Sequence, residues 1–255
     1  MTAGAAGRRV ALIGDIHGCI RELEELYRKL THLSIDEVFH VGDLVDRGPD
    51  SGAVIDFCIR NKINGVMGNH EDSILNLWAR YKKDGFLPKS PDKSRTISQL
   101  NAERVKYLSA LPKLHVFDDL NTLIVHGGVW PHLPLYAQPL NVIRAQMINT
   151  DTCNLGRSRW WGVNAAKSEH QKTEAESYLE GWRRWYELYD GHQNVVFGHS
   201  VFRNPFTHKN EGTGTVYGID QGGCFGGYLT ALIIPDMTYV QVRARRAYVG
   251  RVFDD

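Results

Sequence analysis

Cysteine is scarce in this 255-residue sequence. Cys19, Cys58, Cys153 and Cys224 lie far apart, with no CxxC pair among them. That spacing excludes a disulfide framework and a thiolate zinc site, and it predicts reduced thiols, as in a cytoplasmic protein. Cys224, within GGCFGG, reads as a small packed residue. No apolar run approaches the roughly 20 residues of a spanning helix, and the opening MTAGAAGRRV holds no apolar stretch of signal-peptide length. Neither membrane insertion nor export is expected. Excess charge of one sign is missing too: 30 Lys plus Arg face 29 Asp plus Glu. A near-neutral chain has no global attraction for nucleic acid or an anionic membrane surface. No internal repeat or low-complexity tract occurs. What remains, with 42% hydrophobic residues, is enough apolar material for a sizeable core.

The first half alternates short apolar runs with helix-spaced segments. RRVALIGD, DEVFHVGD and INGVMGN read as strands. Between and after them, Leu23, Leu26, Tyr27 and Leu30, then Ile74, Leu77, Trp78 and Tyr81, recur at the spacing of one helix face. SGAVIDFCIRNK reads as a further helix with Ser51 as its N-cap. Strand–helix alternation predicts a parallel sheet with right-handed crossovers. Ligands of such sheets sit beyond the carboxyl ends of the strands. Each of these three strands ends in glycine plus a polar residue, namely Asp15, Asp43 and Asn69, so the topology brings all three to one edge. Residues 85–98 read as a polar loop, followed by a helix up to Leu111. KLHVFDD and NTLIVHGG read as paired strands, and EAESYLEGWRRWYELYDG as a helix despite Gly181. QNVVFGHS, GTVYGID, GYLTALII and TYVQVRARR read as four more strands. Residues 150–175 show no clear pattern.

The polar residues that end apolar runs form a set: Asp15 and His17 in GDIHG, Asp43 in GDLVDRG, Asn69 and His70 in GNHE, His126 in VHGG and His199 in FGHS. Two carboxylates, an amide and four imidazoles suit Mn, Fe, Zn or Ni. Any one of these pieces alone is an ordinary turn or a core histidine. Their joint occurrence at strand ends points to a metal site. The acidic residues after GNH also sit where a helix dipole favours them.

These blocks, in this order, resemble the phosphoprotein-phosphatase family of calcineurin-like metallophosphoesterases. The resemblance spans residues 8 to about 234. The block GIDQGGCFGGYLTAL is similar to the C-terminal block of bacterial branches that include diadenosine-tetraphosphatase-like enzymes. Departures are GHSV, where the family usually has GHT, and HGG, where these branches more often have HAG. The resemblance implies a four-layer α/β/β/α fold, a central sandwich of mixed β-sheets flanked by helices. It implies a single domain over residues 8–246, with a flexible stretch at 1–7 and a tail at 247–255.

It also implies two divalent metal ions, manganese first among Mn, Fe, Zn, Ni and Mg. Asp15 and His17 would hold one ion, Asp43 would bridge both, and Asn69, His126 and His199 would hold the other. Arg47 and Asn69 would bind substrate, His70 would protonate the leaving oxygen with Asp46 orienting it, and Asp220 would support the site. Two such ions about 3.5–4 Å apart activate water near neutral pH and clamp an in-line displacement. A planar guanidinium matches phosphate geometry better than a lysine does. A second phosphate-binding arginine is expected, and Arg157, Arg159, Arg183 and Arg184 compete for the role. The same arginines could instead stack on Trp160, Trp161, Trp182 or Trp185. Lys89, Lys93 and Arg95 read as a solvated charged loop in preference to substrate contacts.

The expected activity is phosphate monoester hydrolysis of the serine/threonine-phosphatase kind, by direct attack of metal-bound hydroxide. A dinucleoside polyphosphate such as diadenosine tetraphosphate is the alternative substrate. An inactive binding module is the rival of another class. The expected partner is a phosphorylated substrate, in the cytoplasm, with neither membrane nor nucleic acid involved.

Overall fold

The computed structural model describes residues 7–131, 133–139, 147–149, 154–156 and 182–250, with backbone alone at 147–149, 154–156 and 182. The chain begins with β1 (Val10–Ile13), α1 (Ile20–Leu30), β2 (Glu37–His40), α2 (Ser51–Arg60), β3 (Asn64–Gly65) and α3 (Asn69–Asp84). Then come α4 (Pro91–Ser98), α5 (Ala102–Ser109), β4 (Leu114–Phe117) and β5 (Thr122–Val125). The later strands are β6 (Met147–Asn149), β7 (Asn154–Gly156), β8 (Trp182–Arg184), β9 (Asn194–Val201), β10 (Phe206–Lys209), β11 (Thr215–Asp220), β12 (Tyr228–Ile234) and β13 (Thr238–Arg243).

Two mixed five-stranded sheets result, ordered β13-β12-β1-β2-β3 and β10-β11-β9-β5-β4. In the first, β1, β2 and β3 run parallel, as the alternation predicts, while β12 adds antiparallel to the other side of β1. In the second, β5, β9 and β11 run parallel, and β4 and β10 close the edges antiparallel. A third sheet joins β7, β6 and β8.

Side-chain alternation sets the layers. Val10 and Leu12 of β1 meet Ile124 of β5 and Val196 of β9 between the two sheets. Ala11 and Ile13 face the other way, onto Leu23, Leu26 and Leu30 of α1 and Val54 and Ile55 of α2. On the outer face of the second sheet, Leu123, Val125, Val195 and Phe197 pack under Trp185 and Tyr189. Each fully buried side chain of this size contributes about 1.5–3 kcal/mol.

Several sequence expectations need correction. Residues 85–98 are not all loop: Pro91 at the first turn opens α4, and Ile97 anchors it in the core. The N-cap of α2 is Asp50, whose carboxylate accepts the Ala53 N–H at 2.8 Å, and Ser51 is the first helical residue. The helix expected across Gly181 does not continue: Trp182–Arg184 pairs with β6 as strand β8, and Trp185–Glu187 forms a 3-10 turn. The strand β10 carried no visible signal. Tyr248, assigned by the sequence to the tail, donates its hydroxyl to Glu22 Oε1 at 2.9 Å. The N-terminal stretch 1–6, residues 157–181 and residues 251–255 lie outside the described residues.

Candidate metal centre

The two sheets deliver the candidate residues to one end of the sandwich. Asp15 and His17 follow β1, Asp43 follows β2, and Asn69 and His70 open α3 just after β3. His126 directly follows β5, His199 lies in β9, and Asp220 ends β11. Parallel strands thus present their carboxyl ends together, as the topology requires.

The turns that do this are strained. Nine non-glycine residues among those described have positive φ, and five are His17, Asp43, Asp46, Arg47 and His199. Such conformations cost about 1–3 kcal/mol each and persist where surrounding contacts over-determine them. The neighbouring glycines have a matching cause. Gly42 has φ +98°, and a Cβ at Gly198 would lie 2.0 Å from Asp15 Oδ1.

Three imidazoles are fixed in the same way, through Nδ1. His17 Nδ1 lies 2.8 Å from the Val45 carbonyl, and His126 Nδ1 lies 2.9 Å from the Val41 carbonyl. Both therefore carry a proton on Nδ1, which turns Nε2 into the site; His17 presents a lone pair there, whereas His126 keeps a second proton on Nε2 between Asp43 and Asn69 until a cation takes its place. His70 is held instead by a carboxylate: its Nδ1 is 2.8 Å from Asp46 Oδ2. It is also the more open ring, with 14% of its side chain exposed against 1% for His17 and none for His126.

Asp43 stands between the rings. Its Oδ1 is 3.3 Å from His126 Nε2, and its Oδ2 is 3.5 Å from His17 Nε2 and 3.9 Å from His70 Nε2. Two groups of ligand-type atoms share it, His17–Asp43–His70 and Asp43–His126–His199, each with its atoms within 4.8 Å of one another. Asn69 Oδ1 lies 3.1 Å from His126 Nε2. Asp15 Oδ2 lies 3.8 Å from His17 Nε2, while its carboxylate accepts the His199 N–H. His70, expected only as a proton donor, therefore sits where a ligand could. Asp15, expected beside His17, stands slightly outside the tighter group.

The charges fit cations. Burial and the nearby Asp220 push the Asp15 carboxyl well above its ordinary range. Burial also raises Asp220, against the Gly222 N–H that it accepts at 2.9 Å. Burial opposes ionisation of Asp43 as well, but His126 and His70 outweigh it and hold that carboxyl well below its usual value. His126, lowered by burial, is carried up to about 10 by Asp43 and Asp15. His199 is pushed down to about 3 by burial and by His126. Arg47 Nη1 reaches His17 Nε2 at 2.8 Å. An imidazolium and one guanidinium are thus what the chain itself sets against these buried carboxylates, and Asp15 remains unfavourably placed. Two divalent ions held by this oxygen and nitrogen donor set would supply the missing charge.

Two contributors escaped the sequence. Glu71, read there only as an acidic residue near a helix start, is fully buried. It accepts the N–H groups of Gly68 and Asp43 at 2.8 Å on Oε2, and those of Leu44 at 2.8 Å and Val45 at 3.3 Å on Oε1. Burial and Asp43 raise it to about 7. Its only sequence signal is a position three residues into α3, which explains the Gly68 bond alone. Glu71→Ala is expected to cost about 3 kcal/mol or more of stability, because it strands several buried donors at once. Urea unfolding of the metal-free protein measures this, and a loss under 1 kcal/mol, small beside about 5–15 for a domain, would contradict it. The second is the Cys224–Phe225 pair. The Arg47 guanidinium stacks 4.9 Å over the Phe225 ring and lies beside the Cys224 thiol, which is buried as expected. Of the arginines proposed for a second phosphate contact, Arg183 and Arg184 lie on β8, while Arg157 and Arg159 lie outside the described residues.

Comparison with known proteins agrees with this geometry. The sequence pattern of the family described as calcineurin-like phosphoesterase matches residues 8–204. The chain is 30% identical to a symmetrical bis(5'-nucleosyl)-tetraphosphatase of Photorhabdus laumondii subsp. laumondii, over 89% of this chain and 94% of that protein. It is 28% identical to an asymmetrical bis(5'-nucleosyl)-tetraphosphatase of Anoxybacillus flavithermus, over 95% and 97% respectively. A crystal structure assigned as a diadenosine tetraphosphatase superposes with a TM-score of 0.72 at 26% identity, covering 93% of this chain and 94% of that one. No helix among the described residues is long and apolar enough to cross a membrane. With its sandwich of mixed sheets, its shared carboxylate between two ligand groups and a family match over most of its length, the chain is a metallophosphoesterase belonging to the calcineurin-like phosphoesterase family.

Proposed function

We propose that the chain hydrolyses dinucleoside polyphosphates, breaking a phosphoanhydride bond in a substrate of the diadenosine tetraphosphate kind, in the cytoplasm. The observation that carries this is similarity to both symmetrical and asymmetrical bis(5'-nucleosyl)-tetraphosphatases across nearly the whole length of either chain. This reverses the order expected from sequence, in which phosphoprotein came first.

Asp15, His17, Asp43, Asn69, His126 and His199 would hold two divalent ions, manganese foremost. When bound, the ions supply a nucleophile from water near neutral pH and neutralise the charge of the phosphate. The chain's own residues do the rest. Arg47 presents a planar fork to the non-bridging phosphate oxygens, and Asn69 stands beside them. His70 offers the proton on Nε2 to the departing oxygen, while Asp46 holds its Nδ1 and stabilises the charged ring. Asp220 fixes the glycine-rich turn that carries Cys224 and Phe225, and through them the Arg47 head group.

Parallel turnover of diadenosine tetraphosphate, a phosphopeptide, tripolyphosphate and a 2′,3′-cyclic nucleotide tests this reading. Diadenosine tetraphosphate should lead by about 10²-fold or more in kcat/KM, a margin within reach of differential contacts. The nucleotides released identify the anhydride cleaved. A higher kcat/KM for the phosphopeptide would restore the protein-phosphatase reading.

A further inference from the structure

The strained turn that carries Asp46 and Arg47 is gripped by a helix that supplies nothing to the ligand set. Both residues have positive φ, +68° and +63°, so their peptides need partners that hold this geometry against relaxation. Those partners come from one face of α4, directly for Arg47 and Gly48 and through Ser51 of α2 for Asp46. The Asp92 carboxylate lies near the Arg47 N–H, which helps to keep it ionised. The Arg47 and Gly48 carbonyls accept from one terminal nitrogen of Arg95, at 3.3 and 2.9 Å. The Asp46 N–H donates to Ser51 Oγ at 3.0 Å, and that hydroxyl pairs with Thr96 Oγ1 at 3.2 Å. Asp92, Arg95 and Thr96 stand at i, i+3 and i+4, the spacing that places side chains together on a helix.

The helix has firm footing of its own. Thr96 and Ile97 are buried, and Thr96 Oγ1 also donates to the Asp92 carbonyl at 3.1 Å. Lys93 Nζ donates to Ser73 Oγ at 2.8 Å, which ties α4 to α3, the helix that begins with Asn69 and His70. One short helix therefore contacts both sides of the Asp46–His70 pair.

We propose that α4 is the positioning element for the substrate-binding arginine and for the carboxylate behind His70. Asp92 and Arg95 fix the Arg47 peptide, and Thr96, acting through Ser51, fixes Asp46. The proposal rests on the roles given to Arg47 and Asp46 under Proposed function. It assigns a task to Arg95, which the sequence read as part of a solvated loop. Arg47 is then held at both ends, by α4 at its backbone and by Cys224 and Phe225 at its guanidinium. With the Arg95 contacts gone, the Arg47 peptide can relax and swing its guanidinium while Ser51 still holds Asp46, and a displacement of about 1 Å is enough to cost roughly 10²-fold.

The test uses the full chain, loaded with Mn2+, with p-nitrophenyl phosphate as substrate. Arg95→Ala is expected to lower kcat/KM by about 10- to 100-fold, with metal content and the urea midpoint unchanged. Arg95→Lys, or added guanidinium with Arg95→Ala, should recover part of the loss, and Asp92→Asn, which keeps an acceptor oxygen, should lose less than Asp92→Ala. In an Arg47→Ala background, Arg95→Ala should change kcat/KM by less than about twofold, because residues acting as one unit are not additive. An equal loss in both backgrounds would show that Arg95 acts apart from Arg47 and would overturn the proposal. So would a loss that follows a lowered urea midpoint. If Arg47→Ala alone keeps full turnover, the substrate-binding reading of Arg47 fails first. If Arg47→Ala is damaging while Arg95→Ala is harmless, only the role of α4 is lost.

Discussion

Asp43→Asn is expected to lower turnover by about 10³-fold or more, the upper range for removing a preorganised electrostatic group, by emptying the centre. Asp43 is the one carboxylate common to both ligand groups, with Oδ1 toward His126 and Oδ2 toward His17 and His70. An amide keeps one oxygen and loses the charge, so one group goes without its anion. The buried rings of His17 and His126 cannot compensate, because each has its Nδ1 committed to a backbone carbonyl. Metal analysis after gel filtration should find two ions per chain in the wild type and one or none in the variant. Excess Mn2+ should restore little activity. A variant with both ions tightly bound and turnover within tenfold of wild type would remove Asp43 from the bridging position.

His70→Ala should cost about 10²–10⁴-fold in turnover, the range for a lost general acid, while both ions stay in place. The structure makes this a sharp question, because His70 Nε2 also falls within one ligand group. Two observations favour the acid. Its Nδ1 is held by the fully buried Asp46, and it is the more open ring, so a leaving oxygen can reach it. An acid matters most when the departing oxygen is strongly basic. The loss should therefore be largest with an alkyl phosphate and smaller with p-nitrophenyl phosphate or a phosphoanhydride. Asp46→Asn should follow the same ranking at about 10–100-fold, as for other groups that orient a catalytic or ligating ring. Loss of an ion from His70→Ala would make His70 a ligand, and equal losses on all three substrates would rule out proton donation.

The sequence revealed these residues because their placement is local. Asp15, Asp43 and Asn69 each follow an apolar run and a glycine, and parallel pairing does the rest. His126 and His199 could be found the same way, since β5 and β9 are neighbours in register, with Val125 opposite Phe197. Glu71 could not, because the groups that need it, Asp43 to Val45, lie 26–28 residues away and meet it only in the folded chain. The helix α4 was hidden by composition: Pro, Ser, Lys and Arg outnumber its apolar residues, and Ile97 alone gives no periodicity. The strand β8 was read as helix because Trp, Tyr and Leu recur nearby at helical spacing. Its partner β6 lies more than thirty positions upstream, and pairing at that distance leaves no trace in local pattern.

The position of β1 bears on how the enzyme comes into being. Its four residues are wholly buried between β2, encoded soon after, and β12, encoded near the far end, with Val10 opposite Ile234. During synthesis at about 5–20 residues per second, one flank of VALI stays without its partner until β12 has emerged, more than two hundred positions later. An apolar strand with an open flank invites pairing with other chains. His199, in β9, is also translated late, so the nascent chain carries most of its candidate metal-binding side chains for many seconds before the second sheet can form. The candidate ligand set is therefore complete only once β9 has been made, and β12, later still, closes the open flank of β1.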